Sequence, residues 1–486
     1  MTDQIDSLPF PSAGTTPDQE LPSENLSPSQ GSTTERPTAL VERIESIDVL
    51  RGCALLGILV SNIDVFAGPE TFFEVPQGLP DSTFIGAHLH LNLFILLCKW
   101  VFIEGRMRAL FAMLFGAGLI LMTEHAEQRK SQSRLADVYL RRNLWLATFG
   151  ILHNVFIWDG DILFPYGLAG LIGLYPVRNW RPRKLFATGA FLSFVLLTFM
   201  APQFLGIAGD IDLSRQVHLV DRDKAEGNPL TPDQLLIEKR WQVVQAAHAV
   251  VLPAFDGGPP SGQGYLAGVA GRWQSLFNGL LSGPAFLVIE SLGAMMIGMA
   301  LYKIGFLTGR YSYKEYFWTA MTCLLISAPI AIVGIMKSYA SGFNFLVAEI
   351  WLYQPYECVR MFGAIADISL LVLWIKCGSV APLRCVLSSI GKLALSNYIL
   401  TSVLCQAVFV WGRWKWFGRL SYGEHHLVMF AVWCANAIFS VLWLRFFQLG
   451  PLEWLWRSLT YGRRMPLSSS RATHLLTGRK TLEEIR

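Results

Sequence analysis

Residues Ser46 to Asn62 read SIDVLRGCALLGILVSN, and the apolar run they open continues to Phe66. As a helix this segment rises about 30 Å, the depth of a bilayer's hydrocarbon core. It is apolar all round past its first turn, which suits lipid or a buried helix rather than a soluble surface. The rest of the chain agrees. Of 486 residues 52% are hydrophobic and only 16% charged, with 31 Phe and 16 Trp, and mean hydropathy is +0.39. Soluble domains carry roughly 25% charged residues, so a soluble enzyme, a disordered chain, a collagen and a disulfide scaffold are all excluded. The eight cysteines show no CxxC spacing and read as reduced packing residues.

Runs of comparable length lie near 107–124, 138–157, 185–205, 284–302, 315–336, 359–377, 386–411 and 426–447, with a shorter one at 161–176. The segment 88–104 is apolar but carries two His, Lys99 and Glu104. Lys and Arg accumulate in short cytoplasmic loops. Segments 125–142, 178–184, 303–314 and the end from Arg457 are basic, whereas 67–87 has three acidic and no basic residues and 206–280 has eight acidic against six basic. A full crossing by 88–104 would force the basic loop 125–142 outside, so that segment reads as re-entrant or interfacial. The expected fold is an all-α polytopic transmembrane helical bundle of about ten spans with both termini cytoplasmic. Its parts are a disordered acidic tail over 1–40, transmembrane bundles over 41–205 and 281–465, an extracytoplasmic region over 206–280 acting as a substrate lid, and a cytoplasmic tail over 466–486. The first tail carries six acidic residues and one basic, a charge of −5 that leaves +9 on the remainder of a chain of net charge +4. Lacking a basic region followed by an apolar run, it is no cleaved signal peptide.

Ionisable side chains within membrane helices are costly and mark functional sites. Asp48 and Arg51 share a face with Asn62, forming one polar stripe; a membrane-interface anchor is the plainer account of the pair. Glu104, Arg106 and Arg108 open the next long span. They either anchor to headgroups or face a polar cavity. In RRNLWLATFGILHNVFIWDGDILFPY (Arg141–Tyr166), Arg142 and His153 lie eleven apart, on one helical face about 16 Å apart. Asn143 and Asn154 repeat that spacing. Trp158, Asp159, Gly160 and Asp161 follow, where a carboxylate orients and polarises the imidazole. A lone helical His is otherwise a packing residue. Glu290 sits mid-span, as a relay, cavity or structural group. Arg360 and Asp367, seven apart, read as helix-to-helix glue. His425 and His426 are adjacent, a poor spacing for joint metal ligation from one helix. No phosphate-cradling GxxxxGK[ST], GxGxxG, HExxH or GxSxG occurs.

The blocks SIDVLRGCALLGILVSN, EGRMRALFAMLFGAG, GILHNVFIWDGDILFPYGLAG, GKLALSNYILTS and GPLEWLWRSLTYG together resemble the YeiB-type bacterial membrane proteins, over roughly residues 43–465. That family lies in a wider transmembrane acyltransferase superfamily with heparan-alpha-glucosaminide N-acetyltransferase. The resemblance implies transfer of an acyl group, acetyl above all, from cytoplasmic acyl-coenzyme A to an extracytoplasmic sugar hydroxyl or amine. The heparan enzyme's catalytic histidine lies in the outer loop after the first core helix; here loop 67–87 has none and the nearest are His88 and His90, so that role does not carry over by position.

The expectation is therefore an acyl-CoA-dependent O- or N-acyltransferase of the bacterial inner membrane. Asp48, Arg51, Arg106, Arg108, Arg141 and Arg142 would serve the donor, the inner-mouth arginines holding its phosphates. His153 with Asp161 or Asp159 would be the general base or a transient acyl carrier, with Glu104 in reserve. Asn62, Trp158 and Glu290 would face the acceptor. Membrane lipid and a small-molecule or glycan acceptor are the expected partners, nucleic acid is not, no metal is expected, and a homodimer is left open. The alternative is a secondary transporter or exporter using Glu290, Arg360 and Asp367, although no inverted repeat is visible.

Overall fold

The structure is a computed structural model that describes residues 38–68, 89–128, 135–200, 206–248, 265–282 and 284–467. Every regular element among them is a helix, the form that satisfies its own backbone polar groups where water is absent. Six stretches are long and apolar enough to cross a membrane. They lie on α1 (Thr38–Ala67), the α2–α3 pair (Leu89–Phe102 and Arg106–Gln128), α11 (Tyr313–Ala340), α12 (Tyr356–Lys376), α14 (Ala394–Gln406, extended to Trp411) and α15 (Tyr422–Phe446). Helices also form over three further expected runs. These are α4 (Leu135–Phe156), α6 (Pro182–Ala190, prolonged as a wider-turn helix over Phe191–Met200) and α10 (Pro284–Lys303). The shorter α5 spans Leu163–Val177.

Large apolar side chains on the outer helices remain uncovered, among them Leu325, Trp318 and Leu427 at 66–77% exposure. With no apolar partner they meet lipid. The chain is a membrane protein. α1 forms the centre, with 67% of its most apolar stretch buried against 22% for α15. It packs on α3, α14, α15 and α13 (Ala381–Lys392). The closest approach is to α13, where a Cβ on either Gly52 or Gly391 would overlap the partner's backbone.

Two boundaries depart from the sequence expectation. α1 opens at Thr38, within the stretch expected to be a disordered tail; the rest of that tail, the acidic loop 69–88 and the tail beyond 467 lie outside the described residues. The run 386–411 is not one helix. It breaks at Leu393 (φ −105°, ψ 33°), because the Glu453 carboxylate of α16 (Pro451–Tyr461) accepts from the amides of Leu395 and Ser396 at 2.7 and 3.0 Å and starts α14 afresh. The apolar segment from Leu89 turns sharply at Ile103–Gly105, with Gly105 at φ +67°. This leaves α2 only about 21 Å long, packed on α11.

The region 206–280 contains α7 (Ile207–Ala225), α8 (Pro232–His248) and most of α9 (Tyr265–Ser282). α9 crosses the end of α4. Tyr265 Oη donates to the Phe156 carbonyl at 2.8 Å and Arg272 Nε to the Val155 carbonyl at 2.9 Å, satisfying two of the orphan carbonyls that end a helix.

Candidate active site

α4 carries His153 at its last turn, and the turn after it folds back so that Asp161 meets the imidazole. His153 Nδ1 lies 2.9 Å from Asp161 Oδ1, with both side chains at most 1% exposed. Asp161 Oδ2 accepts from the Phe164 amide at 2.7 Å, so the carboxylate also opens α5. Since an ionised carboxylate only accepts, His153 Nδ1 carries the proton and Nε2 presents a lone pair. Nε2 is buried with no hydrogen-bond partner. Gly150, one turn before, is what permits this fold-back: a Cβ there would overlap the Phe164 amide and the Asp161 carboxylate.

The ring of Tyr398 on α14 lies 5.0 Å from that of His153. Its hydroxyl accepts from the Ile162 amide at 3.2 Å. Trp158 stands edge-on to His153 with centroids 6.4 Å apart and stacks on Phe66 at 4.0 Å. It is buried, as a packing residue is, and closes the dyad from one side. Asp159 is exposed, and only its carbonyl is engaged, accepting from Asn154 Nδ2 at 2.7 Å. Of the two aspartates, Asp161 is the one that holds the histidine. Asn143 is buried and donates to the Tyr139 carbonyl.

At the other end of α4 the guanidinium of Arg142 lies over Trp456 at 4.0 Å, and Trp456 Nε1 donates to the Arg142 carbonyl at 2.8 Å. The charges acting on Arg142 are those of Arg457 and Arg51. Arg51 pairs with Asp48 at 2.9 Å. Three arginines from α1, α4 and α16 thus gather at one end of the bundle. Arg141 points away, exposed and paired with Asp137.

Arg106 and Arg108 belong elsewhere. Arg108 is held by Glu290 at 2.8 Å, and Glu290 also takes Arg360 Nη1 at 3.1 Å. Arg360 forks onto Glu357 with two contacts of 2.9 Å, so its partners are Glu290 and Glu357 and not Asp367. Arg106 is fully buried, donates to Ser327 at 3.1 Å, lies against Gly363 and feels the charge of Asp367. Glu104 forms no ion pair with these arginines, although its charge acts on Arg108, and it takes no part in the dyad's hydrogen bonds. Tyr356 Oη donates to it at 3.4 Å, and Lys99 lies 3.8 Å away. Asn62 is half-buried on α1.

A further polar group escaped the sequence reading. Asp64 near the end of α1 binds Lys99 of α2 at 2.5 Å through Oδ2, and its Oδ1 lies 3.0 Å from Nε2 of His425 on α15. His426 follows on the same turn. Asp64 obeys the rule that selected Glu290, an acid inside an apolar run; its place beside the loop boundary disguised it. His88 lies outside the described residues, and His90 is exposed.

Among known proteins, the chain is 32% identical to "Uncharacterized protein YeiB" of Escherichia coli (strain K12) over 428 residues, 86% of this chain and 97% of that one. The profile described as "Protein of unknown function (DUF418)" matches residues 301–463. This chain belongs to the YeiB (DUF418) family. Two further relatives in Bacillus span the same length. "Uncharacterized protein YxaH" of Bacillus subtilis (strain 168) is 26% identical over 441 residues, 89% of this chain and 98% of its own. "Uncharacterized 39.9 kDa protein in amylase 3'region" of Bacillus acidopullulyticus is 25% identical over 442 residues, 89% and 97%. No solved structure matches. The profile of the YeiB (DUF418) family takes in Tyr398, His425, His426 and Glu453 and does not reach His153 and Asp161, so the dyad lies wholly outside it and only its neighbour Tyr398 within.

Proposed function

We propose that the chain is an integral membrane acyltransferase of the bacterial inner membrane, passing an acyl group, acetyl by preference, from cytoplasmic acyl-CoA to a sugar hydroxyl or amine on the far side. The observation that carries this reading is the buried dyad, in which Asp161 fixes His153 Nδ1–H and leaves Nε2 free to take a proton. In the proposed step, Nε2 removes the acceptor's proton as its oxygen or nitrogen attacks the thioester carbonyl. The carbon–sulfur bond breaks, and the departing thiolate of coenzyme A receives that proton from His153. General base catalysis of this kind contributes about 100- to 10,000-fold.

The three arginines at the opposite end of α4 suit the donor's phosphates, since guanidinium forks match phosphate oxygens. Arg142, on the same helix, stands about 16 Å from His153 by helical rise, a gap that an extended pantetheine arm can cover. The basic loops support a cytoplasmic position for that end and for both termini. α9, anchored on the last carbonyls of α4, covers the dyad as a lid, and the acceptor enters by displacing it.

Purified full-length protein in detergent should release free coenzyme A from acetyl-CoA in the presence of an amino sugar or envelope glycan. His153→Ala should lower that rate by at least about 100-fold. Full turnover in His153→Ala overturns the assignment of the base. The Arg108–Glu290–Arg360–Glu357 network is the feature that favours a transporter instead, and proton-gradient-driven flux of a solute without thioester consumption would select that reading.

A further inference from the structure

We propose that Asp64, His425 and His426 form a binding site for a divalent transition-metal ion of the zinc type, where the end of α1 meets the first turn of α15. One donor atom from each of the three buried residues lies within 4.8 Å of the others. Around a tetrahedral ion with bonds of 2.0–2.2 Å, ligand atoms sit about 3.3 Å apart, so a small contraction closes the site. Successive helical side chains diverge by about 100°. Here the two imidazoles nevertheless lie face to face, with centroids 4.6 Å apart and planes 32° apart.

Hydrogen bonding has already set the protonation of one ligand. His426 Nδ1 is 2.7 Å from the Tyr422 carbonyl, which can only accept. The proton is therefore on Nδ1, and the lone pair is on Nε2, which is buried and without a hydrogen-bond partner. A backbone carbonyl holding the far nitrogen is the usual outer support of a metal-bound histidine. Asp64 divides its oxygens. Oδ2 is engaged by Lys99, while Oδ1 lies 3.0 Å from His425 Nε2 in an approach not aligned as a hydrogen bond. No carbonyl holds either ring nitrogen of His425, so Nε2 can turn a lone pair to an ion that bridges it to Asp64 Oδ1.

Two buried carboxylates, Asp64 and Glu104, flank Lys99, and Arg108 also acts on Glu104, so the oxygen left to an ion is Asp64 Oδ1. Three protein ligands with one open position is the pattern of sites that bind an exchangeable fourth group. The proposal is independent of the acyltransferase reading. Asp64 stands two residues from Phe66, whose ring stacks on Trp158 beside the dyad, so an ion here would brace that end of the bundle.

The test uses the full-length protein in detergent, stripped with chelator and titrated with Co²⁺. The expected result is one equivalent bound, with the intense visible absorption of a tetrahedral ion, displaced by Zn²⁺. His426→Ala and Asp64→Asn should each weaken binding by at least about 100-fold, while His153→Ala keeps the full equivalent. Lys99→Met, which leaves all three donors in place, should also retain it and guards against loss through misfolding. The proposal is overturned if the wild type binds no Co²⁺ beyond a His425→Ala/His426→Ala protein, or if those substitutions leave the spectrum unchanged.

Discussion

His153 and Asp161 are eight residues apart and separated by a helix end, and it is the second oxygen of Asp161 that makes the pair rigid. With Oδ1 on the imidazole and Oδ2 on the Phe164 amide, the carboxylate has two donors to serve and no amide can replace it. In Asp161→Asn, the NH2 must face either Nδ1–H or the Phe164 N–H. We expect free-coenzyme-A release to fall by about 100-fold or more, with a melting-temperature loss that reflects one unsatisfied buried donor, about 1–3 kcal/mol. A rate equal to that of the wild type would show that Asp161 only caps α5. The dyad was legible in the sequence because its members are close along the chain and the intervening Trp-Asp-Gly dictates a turn. Tyr398 and the Asp64 group were not. Their partners come from α1, α2, α14 and α15, and no periodicity within one helix reports a contact over hundreds of residues. The adjacency of His425 and His426 argued against shared ligation only while a single helix was considered.

At the scale of elements, the apolar run through 386–411 marks the break at Leu393 only by Gly391, two residues before it, and a lone Gly does not by itself end a membrane helix. The stop is imposed from outside by Glu453, which accepts from the Leu395 and Ser396 amides and from Ser396 Oγ. Glu453→Ala leaves those donors buried and unpaired. At about 1–3 kcal/mol for each, the variant should melt well below the wild type in detergent, whereas Glu453→Gln, which keeps one acceptor oxygen, should lose less. An unchanged melting temperature in the alanine variant would contradict the capping role. The blocks GKLALSNYILTS and GPLEWLWRSLTYG were each recognisable from sequence. Their mutual contact was not, because it depends on where α16 docks.

For the molecule as a whole, the membrane class was plain from composition, and α1 as the buried centre agrees with its unbroken apolar run. Orientation rests on the basic loops, and reporter fusions test it. A fusion after Arg486 should be active only as a cytoplasmic reporter, and one placed within 249–264 only as an extracytoplasmic reporter. The reverse pattern would place the three-arginine end outside, where no acyl-CoA is supplied. α9 links this scale to the chemistry, since it lies in the region that the sequence marked as too long for a simple turn and as a substrate lid, and it ties onto the last carbonyls of α4.

The dependence of α14 on Glu453 also has a temporal side. Ribosomes release the chain from its amino end, so α14 is complete while the carboxylate that begins it is still more than forty residues from being made. Until α16 arrives, the amides of Leu395 and Ser396 have nothing in the hydrocarbon to bind, and the Tyr398 that faces the dyad is not yet fixed. The last helix among the described residues therefore acts as the latch of the bundle, and a chain that stops before residue 453 leaves those donors unmet.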